Sequence, residues 1–341
     1  MRTPQPAIFV EEVALHCHLE FTIRPGVSDD TARIAVARAR QAANTLRGPN
    51  IVWSFNPELW SQWEPNEVPD NVKPFAGLQG PVFTAPSTQA DVWVWIQGNL
   101  SEKVWRAAKD VTDSLEDAMG LSRQLRAYTA ADNRDPTGFT DGTENPAVDE
   151  GIEISVVPPG NPGGGGVPMF IQKYVHNLTA FNELSVADQE RVFGRTKEES
   201  VQLPDDQMPE TSHVSRNTIH DSEGNERHIY RRNTQFAKAT EAGSLFIGCA
   251  AETDRINIML DRMFGVGADG NIIDSFLHYS TPVTGAYYWA PAMQSLEAVL
   301  GPLDPGDENP DSSPEPTETG NASEVGSLEI GSLRSDSSSW D

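Results

Sequence analysis

Two side chains stand out for chemistry, an acid and an imidazole. The acid is Asp141, enclosed by Gly138 and Gly142 in GFTDG (138–142). Glycine on either side lets backbone approach a flat or bulky ligand, because no Cβ intervenes. An Asx turn accounts for the same residues, since Asp often bonds backbone close to itself. Asp135 and Glu144 are near in sequence, but a carboxylate pair of glycosidase type cannot be judged from a loop. The imidazole is His213, which follows the acid- and proline-containing run PDDQMPETS. It precedes a hairpin signal: HVSRNTIH (213–220) and RHIYRRNTQF (227–236) read as strands joined by DSEGNE. Closing that hairpin brings His213 toward Arg231 and Asn233, although a lone histidine is usually structural.

Seven histidines are present. His16 and His18 alternate around Cys17 in HCHLEFTIRPG (16–26), so they share one strand face. A metal site there is conceivable, but no third ligand stands at a useful spacing, and an ordinary strand face is the better reading.

The elements that must position these groups follow a β/α alternation. Residues 16–26 read as a strand. DDTARIAVARARQAANTLRG (29–48) reads as a helix started by Asp29 and Asp30 and closed by glycine. DVWVWIQGN (91–99) reads as a strand with Val92, Val94 and Ile96 on one face and Trp93 and Trp95 on the other. SEKVWRAAKDVTDSLEDAMG (101–120) reads as a helix with Ser101 as its cap. After PPGNPGGGGV (158–167), taken as a flexible loop because no phosphate-binding Lys-Ser/Thr follows the glycines, the alternation recurs. The second half reads as a strand at 168–178, a helix at 185–195, the hairpin, a strand at 242–251 and a helix at 254–265. The pattern fits ferredoxin-like units without a strict sequence repeat.

The chain has 341 residues and a formal net charge of −25. That balance argues against nucleic acid and against an anionic membrane surface as partners. Two cysteines without CxxC spacing give no disulfide framework or zinc site. The first residues show no secretory pattern, and no run of 18 apolar residues occurs, so a cytoplasmic protein with reduced thiols is expected.

Taken in order, GFTDGTENP, YVHNLTAFNELSVADQERVFGRTK (174–197), SHVSRN (212–217), IYRRNTQF (229–236) and HYSTPVTGAYYWAP (278–291) resemble the dye-decolourising peroxidases, most closely their bacterial group B. The resemblance runs from about residue 5 to 300. It implies an α+β fold of two ferredoxin-like domains, here 1–155 and 156–303, and one haem b per chain. It implies that His213 is the proximal ligand of the haem iron and that Asp274 is the acid behind it. Asp141 is then the distal acid that moves a proton on hydrogen peroxide, Arg231 the cation that stabilises developing charge, and Asn233 a polar residue that positions peroxide. Arg195 pairs with a haem propionate, and Gly142 and Thr143 contact the cofactor. Arg232, directly after Arg231, leaves the register of the distal arginine open by one residue. The implied reaction reduces hydrogen peroxide and oxidises dyes, phenols or other aromatic donors in one-electron steps.

Residues 304–324 hold seven acids and no base, which reads as a disordered acidic linker. Apolar residues then return in 325–341. SLEIGSL (327–333) resembles the peptides that load such peroxidases into encapsulin shells, with Leu328, Ile330, Gly331, Ser332 and Leu333 as docking residues. The family further implies a dimer or hexamer and a cytoplasmic location inside an encapsulin compartment. The competing readings are a haem-binding carrier or iron-releasing protein on the same fold, and a non-haem relative in which His213 is structural.

Overall fold

The computed structural model describes residues 2–44, 48–267 and 270–304. The residues up to Asp304 form one compact unit. The expected linker and docking peptide lie outside the described residues.

The first half runs β1 (Leu15–Ile23), α1 (Asp29–Asn44), β2 (Asn50–Phe55), β3 (Val92–Gly98), α2 (Ser101–Leu115) and β4 (Met119–Tyr128). The second half runs β5 (Val167–His176), α3 (Val186–Phe193), α4 (His213–Asn217), β6 (Thr234–Ala237), β7 (Ala242–Cys249), α5 (Asp254–Phe264) and β8 (Ala286–Ala290). The first half pairs its strands in the order β2-β3-β1-β4, and the second repeats that order as β6-β7-β5-β8, all antiparallel. Each half is thus a ferredoxin-like βαββαβ unit. The two sheets join edge to edge, β8 to β2 and β4 to β6, and close an eight-stranded ring. Each seam rests on one residue pair, Trp289 with Phe55 and Tyr128 with Gln235.

The alternation in β3 sorts its side chains as expected. Val92, Val94 and Ile96 pack outward beneath α1 and α2, while Trp93 and Trp95 point into the ring. All five are fully buried. Burying an aliphatic side chain of this size contributes roughly 1.5–3 kcal/mol. The ring interior also takes Val167, Met169, Ile171, Leu245, Ile247 and Tyr288. A third cluster lies where α5 covers the outer face of the second half with Ile256, Met259 and Phe264.

Several local readings need correction. Ser101 is the first residue of α2 rather than its cap; Leu100 stands at the cap without a side-chain bond. Residues 119–120 belong to β4, not to the helix. α1 is capped by Ser28, whose Oγ accepts from the Thr31 amide at 3.2 Å. The glycine run is a packed turn, because Cβ atoms at Gly163 and Gly166 would stand 2.7 and 2.2 Å from Trp289 Cζ2. Glycine is required there so that backbone can lie on the indole. Residues 213–217 form a helix, with Ser212 Oγ accepting from the Ser215 amide at 3.2 Å. The expected hairpin is reduced to a single bridge, His220 with Glu226.

His16 and His18 do share a face, inside the ring. His16 Nε2 bonds Val13 O and Thr129 Oγ1, and His18 Nε2 bonds Thr234 Oγ1. Burial lowers the pKa of both, that of His16 to about 4. Among the described residues no group of three or more His, Cys, Asp or Glu could hold a metal ion. Cys17 and Cys249 are buried free thiols. Among the described residues no helix is long and apolar enough to cross a membrane.

Candidate active site

In an ordinary ferredoxin-like unit one helix links the first two strands. Here residues 177–233 intervene between β5 and β6 and carry both α3 and α4. They close over the outer face of the second half's sheet and leave a cavity of about 450 Å³. Asp141, Gly142, Thr143, Arg195, His213, Arg231 and Asn233 all line it. Seven of the eight expected site residues of the described chain therefore meet at one place; the eighth, Asp274, stands directly behind His213.

His213 opens α4, held by the Ser212 cap. Its Nδ1 lies 2.6 Å from Asp274 Oδ2. Asp274 is fully buried, and its Oδ1 accepts from the Phe276 amide at 2.9 Å. A carboxylate can only accept here, so it selects the tautomer with hydrogen on Nδ1 and leaves the Nε2 lone pair unprotonated. Nε2 has no hydrogen-bond partner among the described residues. Asn217 sits one turn on, with its Nδ2 3.3 Å from Asp274 Oδ2 and 2.6 Å from His213 O. Phe193 and Phe276 meet the imidazole edge-on, at centroid distances of 5.9 and 5.5 Å. The ring is thereby fixed on both sides.

Asp141 lies in a loop held by positive-φ glycines, Gly138 at +87° and Gly142 at +77°. Its amide donates to Asn133 O at 2.8 Å. Asn233 Nδ2 donates to one carboxylate oxygen at 3.1 Å and Gln235 Nε2 to the other at 3.2 Å. Arg231, Asn233 and Gln235 alternate along one face, so a single short stretch supplies the cation and both amides. The Arg231 backbone is clamped by Asn145, whose Oδ1 accepts from its amide at 2.8 Å. Burial lowers the Arg231 pKa, while the nearby Asp141 carboxylate opposes that shift. Arg232 turns the other way. It donates to Ile8 O at 2.8 Å and to Val10 O, and it lies over the Trp95 ring at 5.5 Å. The register ambiguity is resolved by geometry: Arg231 faces the cavity and Arg232 the ring interior.

Arg195 donates to Ser200 O at 2.8 Å and pairs with Glu144. Thr143 Oγ1 meets Ser200 Oγ at 2.8 Å, which ties the Asp141 loop to the segment after α3. Gln235 and His176 escaped the sequence reading. Gln235 holds Asp141, and its position two residues beyond Asn233 in a strand was the available signal. His176 and Asp135 form a second wall of the cavity, 3.8 Å apart. Burial moves them in opposite directions, His176 down to about 4 and Asp135 up to about 6.

The cavity unites a fixed imidazole with a free nitrogen, an oriented carboxylate, and a guanidinium. Models of the Dyp-type peroxidase N-terminal and C-terminal regions match residues 19–126 and 132–295. The chain belongs to the Dyp-type peroxidase family. It has the α+β fold of that family and is a peroxidase of that type. A dye-decolorizing peroxidase of Mycobacterium tuberculosis is 33% identical over 275 residues, 80% of this chain and 82% of the relative. DyPB from Rhodococcus jostii RHA1 aligns at a TM-score of 0.79 and 32% identity, over 88% of this chain and 98% of that one. Variants of that protein were solved in complex with heme. The encapsulated DyP-type peroxidase from Mycobacterium smegmatis aligns at a TM-score of 0.78 and 28% identity, over 90% of this chain and 99% of its own.

Proposed function

We propose that this chain is a haem-dependent peroxidase that reduces hydrogen peroxide and oxidises dyes, phenols or other aromatic donors. The observation that carries the reading is His213, with Nδ1 committed to Asp274 and Nε2 free, in the same cavity as Asp141 and Arg231. A carrier needs the histidine but neither the oriented acid nor the guanidinium.

The residues fit haem b. Phe193, Phe246, Met259 and Met263 supply apolar walls, His213 Nε2 a neutral nitrogen for iron, and Arg195 a cation for a propionate. Gly142 and Thr143 belong to the loop that would lie against the group. When bound, haem supplies the iron centre at which peroxide is reduced and from which a donor is oxidised one electron at a time. Asp274 holds the His213 tautomer and makes the imidazole a stronger donor. Asp141, fixed by Asn233 and Gln235, takes a proton from one peroxide oxygen and returns it to the other as that oxygen leaves as water. Arg231 stabilises the negative charge that develops as the O–O bond breaks. Asn233 orients peroxide beside the acid.

Residues 1–155 are proposed as the half that carries the GFTDG loop and 156–303 as the haem-binding half, and the chain as a dimer or hexamer of the group B type. The likeness to an encapsulated enzyme supports 304–324 as a linker and Leu328, Ile330, Gly331, Ser332 and Leu333 as the part that docks on an encapsulin shell in the cytoplasm. The test is the absorption spectrum of the haem-loaded protein before and after one equivalent of hydrogen peroxide. A Soret band that shifts supports the reading. A band that ignores peroxide supports a carrier, and no band at all removes His213 as ligand.

A further inference from the structure

Behind the cavity's sheet wall, inside the ring, stands a continuous aromatic stack that the peroxide chemistry above does not use. Trp95 and Trp93 lie nearly parallel, with centroids 6.0 Å apart and an interplanar angle of 8°. Tyr288 follows at 5.6 Å from Trp93. All three are fully buried. The near end is one strand's thickness from the cavity, because Arg232, next to cavity-lining Arg231, lies over Trp95. The far end has a proton acceptor: Tyr288 Oη donates to Glu20 Oε2 at 2.8 Å. The same Glu20 oxygen pairs with Arg123 at 3.4 Å.

We infer that Tyr288 is a redox-active residue, oxidised to a neutral radical while Glu20 takes its proton. The inference rests on the peroxidase reading, since the oxidant is the cavity site after hydrogen peroxide has been reduced there. One electron leaves the Tyr288 phenol through Trp93 and Trp95 to that site. The phenolic O–H bond breaks, and its proton forms an O–H bond on Glu20 Oε2. No net charge is left on the ring, and the tyrosine is restored when an electron and the proton return.

The charges along the stack set its direction. The Arg232 guanidinium opposes positive charge on Trp95, so an oxidised state does not rest there. At Tyr288 the positive charge is discharged by proton transfer. Burial raises the pKa of Glu20, which makes it a better base than an exposed carboxylate. Trp95 Nε1 donates to His16 Nδ1 at 3.2 Å, but burial lowers the His16 pKa to about 4, so His16 is a weaker base for an oxidised Trp95 than Glu20 is for Tyr288. His18, lowered by burial, and Tyr230 and Cys249, raised by it, also pack beside the stack and stay neutral. Because Tyr288 is inaccessible, it is a store for an oxidising equivalent and not a contact point for donors.

The test is freeze-quench electron paramagnetic resonance on the full-length, haem-loaded protein, with one equivalent of hydrogen peroxide and no donor. Ring-deuterated tyrosine identifies a tyrosyl signal by its narrowing. The expected result is a tyrosyl radical whose yield falls at least several-fold in Tyr288→Phe. In Glu20→Gln, which keeps a hydrogen-bond acceptor but removes the base, the yield falls as well, while the first absorption change with peroxide keeps its rate. An undiminished tyrosyl signal in Tyr288→Phe overturns the inference, as does a normal absorption change with no radical. Unchanged yield in Glu20→Gln overturns the proton assignment. Absence of any absorption change removes the oxidant, and overturns the peroxidase reading and this inference together.

Discussion

Arg231 and Arg232 are consecutive in the chain and stand on opposite faces of one sheet. Arg231 lines the cavity, whereas Arg232 donates to the carbonyls of Ile8 and Val10 inside the ring. Two substitutions should therefore separate cleanly. Arg231→Leu should lower the rate of the peroxide reaction by about 10²-fold or more and leave thermal stability near wild type. Arg232→Leu should strand two part-buried carbonyls, at a cost of up to roughly 1–3 kcal/mol each, with the peroxide rate largely kept. Stopped-flow absorption and thermal melts on both variants check this; the opposite pattern would reverse the assignment of the two arginines.

The Asp274–His213 bond makes a second prediction. Asp274→Asn keeps the shape but no longer selects the Nδ1–H tautomer. Haem affinity should fall by about 10–100-fold, as when a partner behind a metal-binding histidine is lost. His213→Ala should lose haem outright. Titration of apo-protein with haem, read at the Soret band, measures both. A His213→Ala protein with full haem and normal turnover would remove the ligand assignment.

Acid stability follows from buried groups of opposite sign. The pKa of His16 and of His176 is lowered to about 4, and that of His18 well below the usual value. The unfolded chain binds more protons at these sites, so each contributes stability that is complete above the ordinary histidine range and is lost as pH falls toward 4. Asp135, raised to about 6, acts the other way. The folded state holds its proton longer, so its contribution falls as pH rises from the ordinary aspartate range to about 6. Three histidines against Asp135 and Glu20, whose pKa burial also raises, give a net rise in stability between about pH 4 and 6.5. Asp135→Asn removes its opposing contribution and should steepen that rise. Calorimetric melting temperatures across this range test the sign.

Gly166→Ala would set a methyl group 2.2 Å from Trp289 Cζ2. Overpacking of this kind costs typically about 1–3 kcal/mol. The melting temperature should drop by several degrees while the haem spectrum of the folded protein stays the same. An unchanged melt would mean that the turn relaxes away from the indole.

Deleting 325–341 should abolish co-purification with a co-expressed encapsulin shell and leave peroxidase turnover intact. Retained encapsulation would show that the address lies elsewhere in the chain.

The legibility of this molecule in its sequence varied with the length of each pattern. β3 was readable because five alternating residues, Val92 to Ile96, carry the period of a strand. α4 was misread because HVSRN is shorter than two helical turns and runs into the β-branched pair Thr218 and Ile219, which suggests a strand. Its one true signal was the Ser212 cap. The Gly163–Gly166 turn looked flexible by composition, and only the position of Trp289 explains its burial. The ring closure left no trace, since each seam depends on one backbone pair between residues more than 100 positions apart. At the site, the acid, the histidine and the cation named through a resemblance of ordered motifs line one cavity. Gln235 was missed although the 231/233/235 alternation contained it.

The seam at Tyr128 and Gln235 lies one peptide from the chemistry. Gln235 closes the ring with its backbone and grips Asp141 with its side chain. Asp141 belongs to the segment that leaves the first half, and Gln235 to the second. Assembly of the ring and arming of the acid are thus one event. A chain still emerging from the ribosome, or one cleaved between its halves, would present a histidine without a correctly held acid. On the proposed function, such a chain lacks the means to turn peroxide into an oxidant before it has a finished barrel in which to contain it.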